Sequence, residues 1–166
     1  LTLKAVSVYG RWTGASGNVR TSVPLFDVCG GSLTLAKPSS GRLTEVACVR
    51  GDFMRNAGAV SVWKDGTFRI ESGAIIRDCR NSYVDDGSGA GRGGAVLVDN
   101  GRAELFGGTI TNCFANHGGG VFIGNLAEVE VKGDMVIAGN FRLDGVTPNN
   151  LVVYDCGKMV LTGPLT

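Results

Sequence analysis

The chain has 166 residues, 43% of them hydrophobic and 19% charged, with a formal net charge of +1. That length fits one domain with a real core, and that balance argues against a disordered segment and against a basic nucleic-acid-binding protein. No apolar run approaches the ~20 residues of a membrane-spanning helix, so no membrane insertion is expected.

Glycine is the outlier, at 27 residues, about twice the ~7 % average. The glycines come as pairs or triplets just before alternating apolar segments, which is turn punctuation ahead of strands. In chain order, LTLKAVSVYG (1–10) alternates like a strand and carries no signal-peptide pattern, so an export signal would lie outside this chain. A first repeat unit starts near Pro24 with PLFDVCGGSLTLAK. Fuller copies start at Gly58 (GAVSVWKDGTFRIESGAIIRDC), Gly94 (GAVLVDNGRAELFGGTITNC) and Gly119 (GGVFIGNLAEVEVKGDMVIAGN), and a last one at Asn150 (NLVVYDCGKMVLTG). Each has a short apolar strand (AVSV, AVLV, GVFI, LVVY), a polar turn, and a second alternating strand (TFRI, AELF, EVEV, MVLT). A third strand often follows (AIIRD, TITN, MVIA).

Aligning Val60, Val96, Val121 and Val152 gives spacings of 36, 25 and 31 residues, with the excess in the turns 81–93 and 141–149. Constant strands with variable turns are what a solenoid permits, because an insertion leaves the stack at a corner. A propeller blade would need a steadier period of ~40–45 residues and a hexapeptide helix a period of six; the glycines and the period-two alternation disfavour helical repeats. The reading is an all-β fold, a single-stranded right-handed parallel β-helix of about five to six coils. Residues 1–166 would form one β-helix domain, a fragment of a longer chain. Val60 and Val62 share a face, as do Val96 and Val98, and Val121 and Ile123. No coil buries that face alone; stacking at ~4.8 Å buries it and pairs the backbone, giving a prism roughly 25 Å tall.

Aligning Ile76, Ile110 and Ile137 puts Cys79, Cys113 and Asn140 at one corner position, a structural ladder. Asn at such a position forms a stacked row of hydrogen-bonded amides. Cys there either fills the corner as a small side chain or, at ~4.8 Å between stacked Cα atoms, falls inside the range for a Cys79–Cys113 disulfide. The five cysteines (29, 48, 79, 113 and 156) leave at least one unpaired within a single chain, and no two make a CxxC motif.

The stretch GGAVLVDNGRAELFGGTITNCFANHGGGVFIGNLAEVEVKGDMVIAGN (93–140) resembles the β-helix repeats of large secreted and wall-anchored surface proteins of Gram-positive gut bacteria. PLFDVCGGSLTL (24–35) looks like a first coil of that pattern and NNLVVYDCGKMVLTGPLT (149–166) like a last one. The resemblance covers most of the chain from Pro24 onward. It implies a β-helix related in architecture to pectate-lyase-like and autotransporter helices, an adhesin-like role, and an extracellular or cell-wall location. The cysteines depart from the pattern, as do Arg, Glu and Phe where it has Ser, Thr or Gly.

Polysaccharide-cleaving β-helices set paired carboxylates, or carboxylates with a cation and a basic residue, on one outer face. The acids to consider are Asp65, Asp78, Asp85, Asp86 and Asp99, with Arg77, Arg80 and Arg92 nearby in sequence. Asp85 and Asp86 sit in the longest glycine-rich turn, where neighbours on an extended chain point apart. His117, the single histidine, lies four residues from Cys113, but no nucleophile motif or zinc spacing surrounds it. GSGAGRGG (87–94) lacks the ending of a phosphate loop. Trp12, Trp63, Tyr83 and Tyr154 are aromatic groups on which a sugar could stack.

The expected ligand-binding residues are therefore Trp63, Tyr83, Asp85, Asp86 and Arg92, with no catalytic residue, no metal ligand and no cofactor. The expected function is a non-catalytic surface or secreted module for adhesion, spacing or display, with a glycan or host-surface ligand as partner. The alternatives are a carbohydrate-active β-helix (polysaccharide lyase or glycosidase) and a fibre subunit that associates end to end with its own copies through open coil ends.

Overall fold

The structure, a computed structural model, describes residues 1–3, 7–9, 24–37, 44–47, 52–53, 58–83 and 90–165. Trp12, Cys48, Asp85 and Asp86 lie outside the described residues. Among those described there is no helix, and parallel strands stack as a β-solenoid of about four turns.

Three long sheets form its sides, and a fourth, Asp52–Phe53 paired with Arg80–Asn81, follows the third. The first stacks Phe26–Cys29, Val60–Trp63, Val96–Val98, Val121–Ile123 and Leu151–Val153. The second stacks Thr2–Leu3, Ser32–Leu35, Thr67–Ile70, Arg102–Leu105, Glu128–Gly133 and Lys158–Leu165. The third stacks Ser7–Tyr9, Thr44–Ala47, Ala74–Arg77, Thr109–Thr111 and Val136–Ile137. The expected five to six coils counted strands. Five strands stacked on one side enclose only four full turns of the path, which is the difference between the two figures.

Period-two alternation places one side chain class in each inward column. In the second sheet Leu33, Phe68, Ala103, Val129 and Met159 share one rung position, and Leu35, Ile70, Leu105, Val131 and Leu161 another. Val46, Ile76, Ile110 and Ile137 line the third sheet. Phe68, Ile70, Ile76, Leu105 and Ile110 are fully buried, each contributing about 1.5–3 kcal/mol by leaving water. The columns merge into one hydrophobic core running from Val28 to Val131.

One expected column needs correction. Val121 pairs with Leu151, and Val152 pairs with Phe122, so the true column is Phe26, Val60, Val96, Val121 and Leu151. The second strands slip likewise: Arg102–Leu105 pairs with Thr67–Ile70, one residue earlier than AELF. A one-residue slip sends every side chain to the other face. In LVV all three residues are aliphatic, so hydropathy alone could not choose between the two registers.

Corners turn through the left-handed backbone region. Asp78 (φ 58°), Asn112 (φ 51°) and Gly139 (φ 65°) occupy one rung position after the third sheet. Asp, Asn and Gly are the residues that enter this region at least cost, so the corner is written into the sequence at these three copies. At the last described coil the inward positions Val153, Met159 and Leu161 remain 45%, 43% and 59% exposed.

Candidate functional site

The residues after the third-sheet corner form the ladder position. Arg80 bridges Phe114 and Phe114 bridges Phe141, both in parallel, so Cys79, Cys113 and Asn140 stand one residue before each and above one another. No disulfide joins the two cysteines. The Cys79 thiol donates to the Arg77 carbonyl at 3.2 Å and the Cys113 thiol to the Thr111 carbonyl at 3.1 Å. Asn140 makes the same contact two residues back, Nδ2 donating to the Ala138 carbonyl at 3.2 Å. It adds a bond to the Ile110 carbonyl at 3.0 Å and accepts the Cys113 N–H at 3.0 Å. Cysteine therefore reproduces part of the amide's bonding, which is how it fits a column suited to asparagine. This column is scaffold.

The 81–93 turn is pinned at its base. Buried Asn81 accepts the Tyr83 N–H at 3.1 Å and donates to the Arg92 carbonyl at 3.0 Å. Asn116 donates to the Tyr83 carbonyl at 2.6 Å. Tyr83 and Arg92 thus flank one excursion. His117 bridges Arg92 in parallel through its backbone, while the Cys113 thiol is directed to the Thr111 carbonyl.

Trp63 belongs to another corner, where the first sheet turns into the second. It is in register with Cys29. Because Val62 pairs with Val98, Val98 with Ile123 and Ile123 with Val153, the column continues from Trp63 through Asp99 and Gly124 to Tyr154. The Asp99, Gly124 and Tyr154 N–H groups each bond back to the preceding rung's neighbour (Val62, Val98 and Ile123 carbonyls), all at 2.8–2.9 Å. Asp27, Cys29, Trp63, Lys64, Asp99 and Asn100 line an open cleft of about 420 Å³ there. Partial burial pushes the Asp99 carboxyl above the usual aspartate value, against the opposing attraction of Arg92 and a backbone hydrogen bond from Asn125.

The rungs beside this column are outward-facing yet dry. Ser61, Leu97 and Phe122 pair across the first sheet and are 0%, 0% and 1% exposed. The segment entering the strand at Val96 crosses over the last two, with Gly93 close against Leu97 and Arg92 over Phe122, while the Gly58 N–H donates to the Ser61 hydroxyl at 3.2 Å. Arg92 sits 5.1 Å above the Phe122 ring and 5.0 Å from the Tyr154 ring centre, and those two rings are 6.0 Å apart. Each such cation–ring contact contributes about 0.5–2 kcal/mol. Gly124 leaves room for this arrangement: a Cβ there would come within 3.2 Å of both the Asp99 carboxyl carbon and the Phe122 ring.

The outer side of the second sheet is different. Glu104 and Glu130 are directly paired rungs. Glu104 accepts from Arg69 at 2.5 Å and Arg102 at 3.3 Å, and Arg102 reaches Glu130 at 2.8 Å. Lys132 and Lys158 extend the row to Glu130 and Glu128 at 3.5 and 3.6 Å. The Thr162 hydroxyl, with Lys132 and Arg102, holds the Glu130 carboxyl below its usual range. On the third sheet Glu45 is likewise paired with Arg77, which also engages Asp78. Among the described residues no group of three metal-ligating side chains converges. The chain matches no family model, no curated protein and no solved structure.

The structure thus brings Trp63 to Asp99, and Arg92 to Phe122 and Tyr154, while Asn81 and Asn116 hold the Tyr83 backbone at the base of the 81–93 turn. The partnership of Trp63 and Asp99 was within reach of the sequence. Both lie three residues after an aligned valine, so register arithmetic alone puts them on neighbouring rungs. Phe122 had no such signal, since an aromatic on the outward face reads as solvent-exposed until the crossing segment is seen.

Proposed function

We propose that the chain is a non-catalytic, secreted or cell-surface β-helix module for adhesion, spacing or display. The reading is of the adhesin-like kind found in large surface proteins of Gram-positive gut bacteria, with architecture related to pectate-lyase-like helices. The observation that carries it is the row of outward acids on the second sheet. A polysaccharide-cleaving pair needs one carboxyl poised to give a proton beside a second that accepts or attacks. Glu104 and Glu130 are instead neighbours cross-linked through Arg102, and the Glu130 carboxyl is held in its ionised form.

A second reading, a lyase or glycosidase, rests on Asp99, whose raised carboxyl shares a cleft with Trp63 and Asp27. A third, end-to-end association with copies of itself, rests on the uncovered inward residues Val153, Met159 and Leu161. A glycan array run beside an assay for released reducing ends and unsaturated sugar products separates the first two. Retention without release is expected; release abolished by Asp99→Asn replaces the module with an enzyme. Sedimentation at several concentrations tests the third, with a constant sedimentation coefficient expected and a rise pointing to fibres.

A further inference from the structure

We propose that the cleft at the first corner, with Trp63 as its floor and Asp99 as its wall, binds an uncharged pyranose unit of a glycan whose chain runs along the coil-stacking direction. The inference deepens the reading of the chain as a surface module and rests on it only for the class of ligand, not for the absence of catalysis.

The chemistry of the lining narrows the occupant. Asp27 and Asp99 offer acceptors, Lys64 offers donors, Asn100 offers both, and Trp63 offers an apolar plate. A phosphate or other compact anion would meet two carboxylates, and a simple cation would meet Lys64. A ring carrying several hydroxyls, with one apolar C–H face, satisfies every group: hydroxyls donate to the carboxylates and accept from the ammonium while the C–H face covers the indole. Trp63 is half-buried, so it is held by the coil while presenting part of its ring. The cleft volume, about 420 Å³, falls in the ~300–1,000 Å³ range of small-ligand sites. Asp99 supplies an independent reason for a donor to bind. Its charge is disfavoured by partial burial, and a hydroxyl hydrogen bond in the cleft offsets that cost.

The geometry also sets a direction. From Trp63 the same column runs over Asp99 and the Gly124 rung to Tyr154, which is 50% exposed, with Arg92 over one face of its ring and the rest open to a ligand. Rungs lie ~4.8 Å apart, so the two aromatic plates are about 14 Å apart. That spacing suits a linear oligosaccharide laid along the column, in contact with Trp63 at one end and Tyr154 at the other.

The test is calorimetric titration of the intact chain with uncharged hexose oligosaccharides of increasing length, with amine-bearing and uronic-acid-bearing series in parallel. Binding is expected for the uncharged series, strengthening with length until both plates are covered. Trp63→Ala should weaken it about tenfold or more, Trp63→Phe should restore part, and Tyr154→Ala should weaken only the longer members. Arg102→Ala, on the other outer face, should leave it unchanged, and circular dichroism should show every variant folded. No binding of any uncharged oligosaccharide, preference for a charged series, or binding indifferent to Trp63→Ala overturns the proposal. Release of product with Trp63-dependent binding would overturn the non-catalytic reading and leave this site standing.

Discussion

The outer side of the second sheet and the corner that follows the first sheet are built from the same repeat, yet they dispose of their polar groups in opposite ways. On the second sheet Arg69, Arg102, Lys132 and Lys158 are interleaved with Glu104, Glu128 and Glu130, so each carboxylate finds its cation on a neighbouring rung. At the corner, Trp63, Asp99, Gly124 and Tyr154 succeed one another with no such alternation, and Asp99 is partly buried in a cleft it does not fill. Strand register stacks like positions in both places. What differs is whether the stacked residues complement each other or wait for something from outside.

The largest break in that contrast should come from Phe122, which is outward-facing but buried beneath Arg92. Phe122→Ala should cost about 3–5 kcal/mol by opening a cavity that the crossing segment cannot refill, read as a drop in the denaturant midpoint at unchanged slope. A loss below about 1 kcal/mol would mean that the first sheet's outer side is wet and that the contrast is only one of charge.

Next in size is Asn140. Its alanine variant leaves the buried Cys113 N–H without the side chain that accepts it and frees two carbonyls, a cost of about 2–4 kcal/mol. Asn140→Cys should lose clearly less, because Cys79 and Cys113 already make the same backward bond from that rung position. Equal losses in the two variants would show that the thiol contacts contribute nothing and that cysteine merely fits the space.

Much of this architecture could be read from the chain before any coordinates. The parallel stack, the glycine punctuation and the Ile76–Ile110–Ile137 register follow from a period-two pattern recurring at variable intervals. Register failed at Leu151–Val153, where three aliphatic residues in a row carry no phase, and by one residue in the second strands, where Arg102–Leu105 pairs in place of AELF. The site was legible in part. Trp63 stood out as an aromatic in a polar turn, and Asp99 as one acid among several, but their adjacency depends on a column drawn through a corner. The Arg92–Phe122–Tyr154 cluster depends on a segment folding over an outer face, which no local pattern announces.

Smaller effects sharpen the contrast further. Arg102→Ala removes the cation that links Glu104 to Glu130, but the side chain is partly exposed and water screens it, so the melting temperature should fall by about 3 °C or less. The fall should shrink as salt is added; a loss that ignores salt would point to packing of the arginine stem instead.

The smallest effect has a sign that differs between the two regions. Burial, the leading cause, raises the Asp99 carboxyl in the folded chain above its usual value of 3.8. The folded state then holds its proton more tightly than the unfolded state, so stability declines as pH rises from about that value through the raised one. Glu130 goes the other way. The Thr162 hydrogen bond, aided by Lys132 and Arg102, lowers its carboxyl below 4.5, so its contribution is present above the usual glutamate value and is lost as pH falls through the lowered one. Thermal melts between pH 3 and 7 should therefore show the wild type losing ground to Asp99→Asn as pH rises and gaining ground on Glu130→Gln. Two parallel trends would mean that both acids sit in equivalent surroundings. Opposite trends would tie the difference to its physical origin: one side of the coil gives its carboxylates partners that outweigh desolvation, and the other buries a carboxylate further than Arg92 and the Asn125 N–H offset, so that a ligand donor would stabilise it.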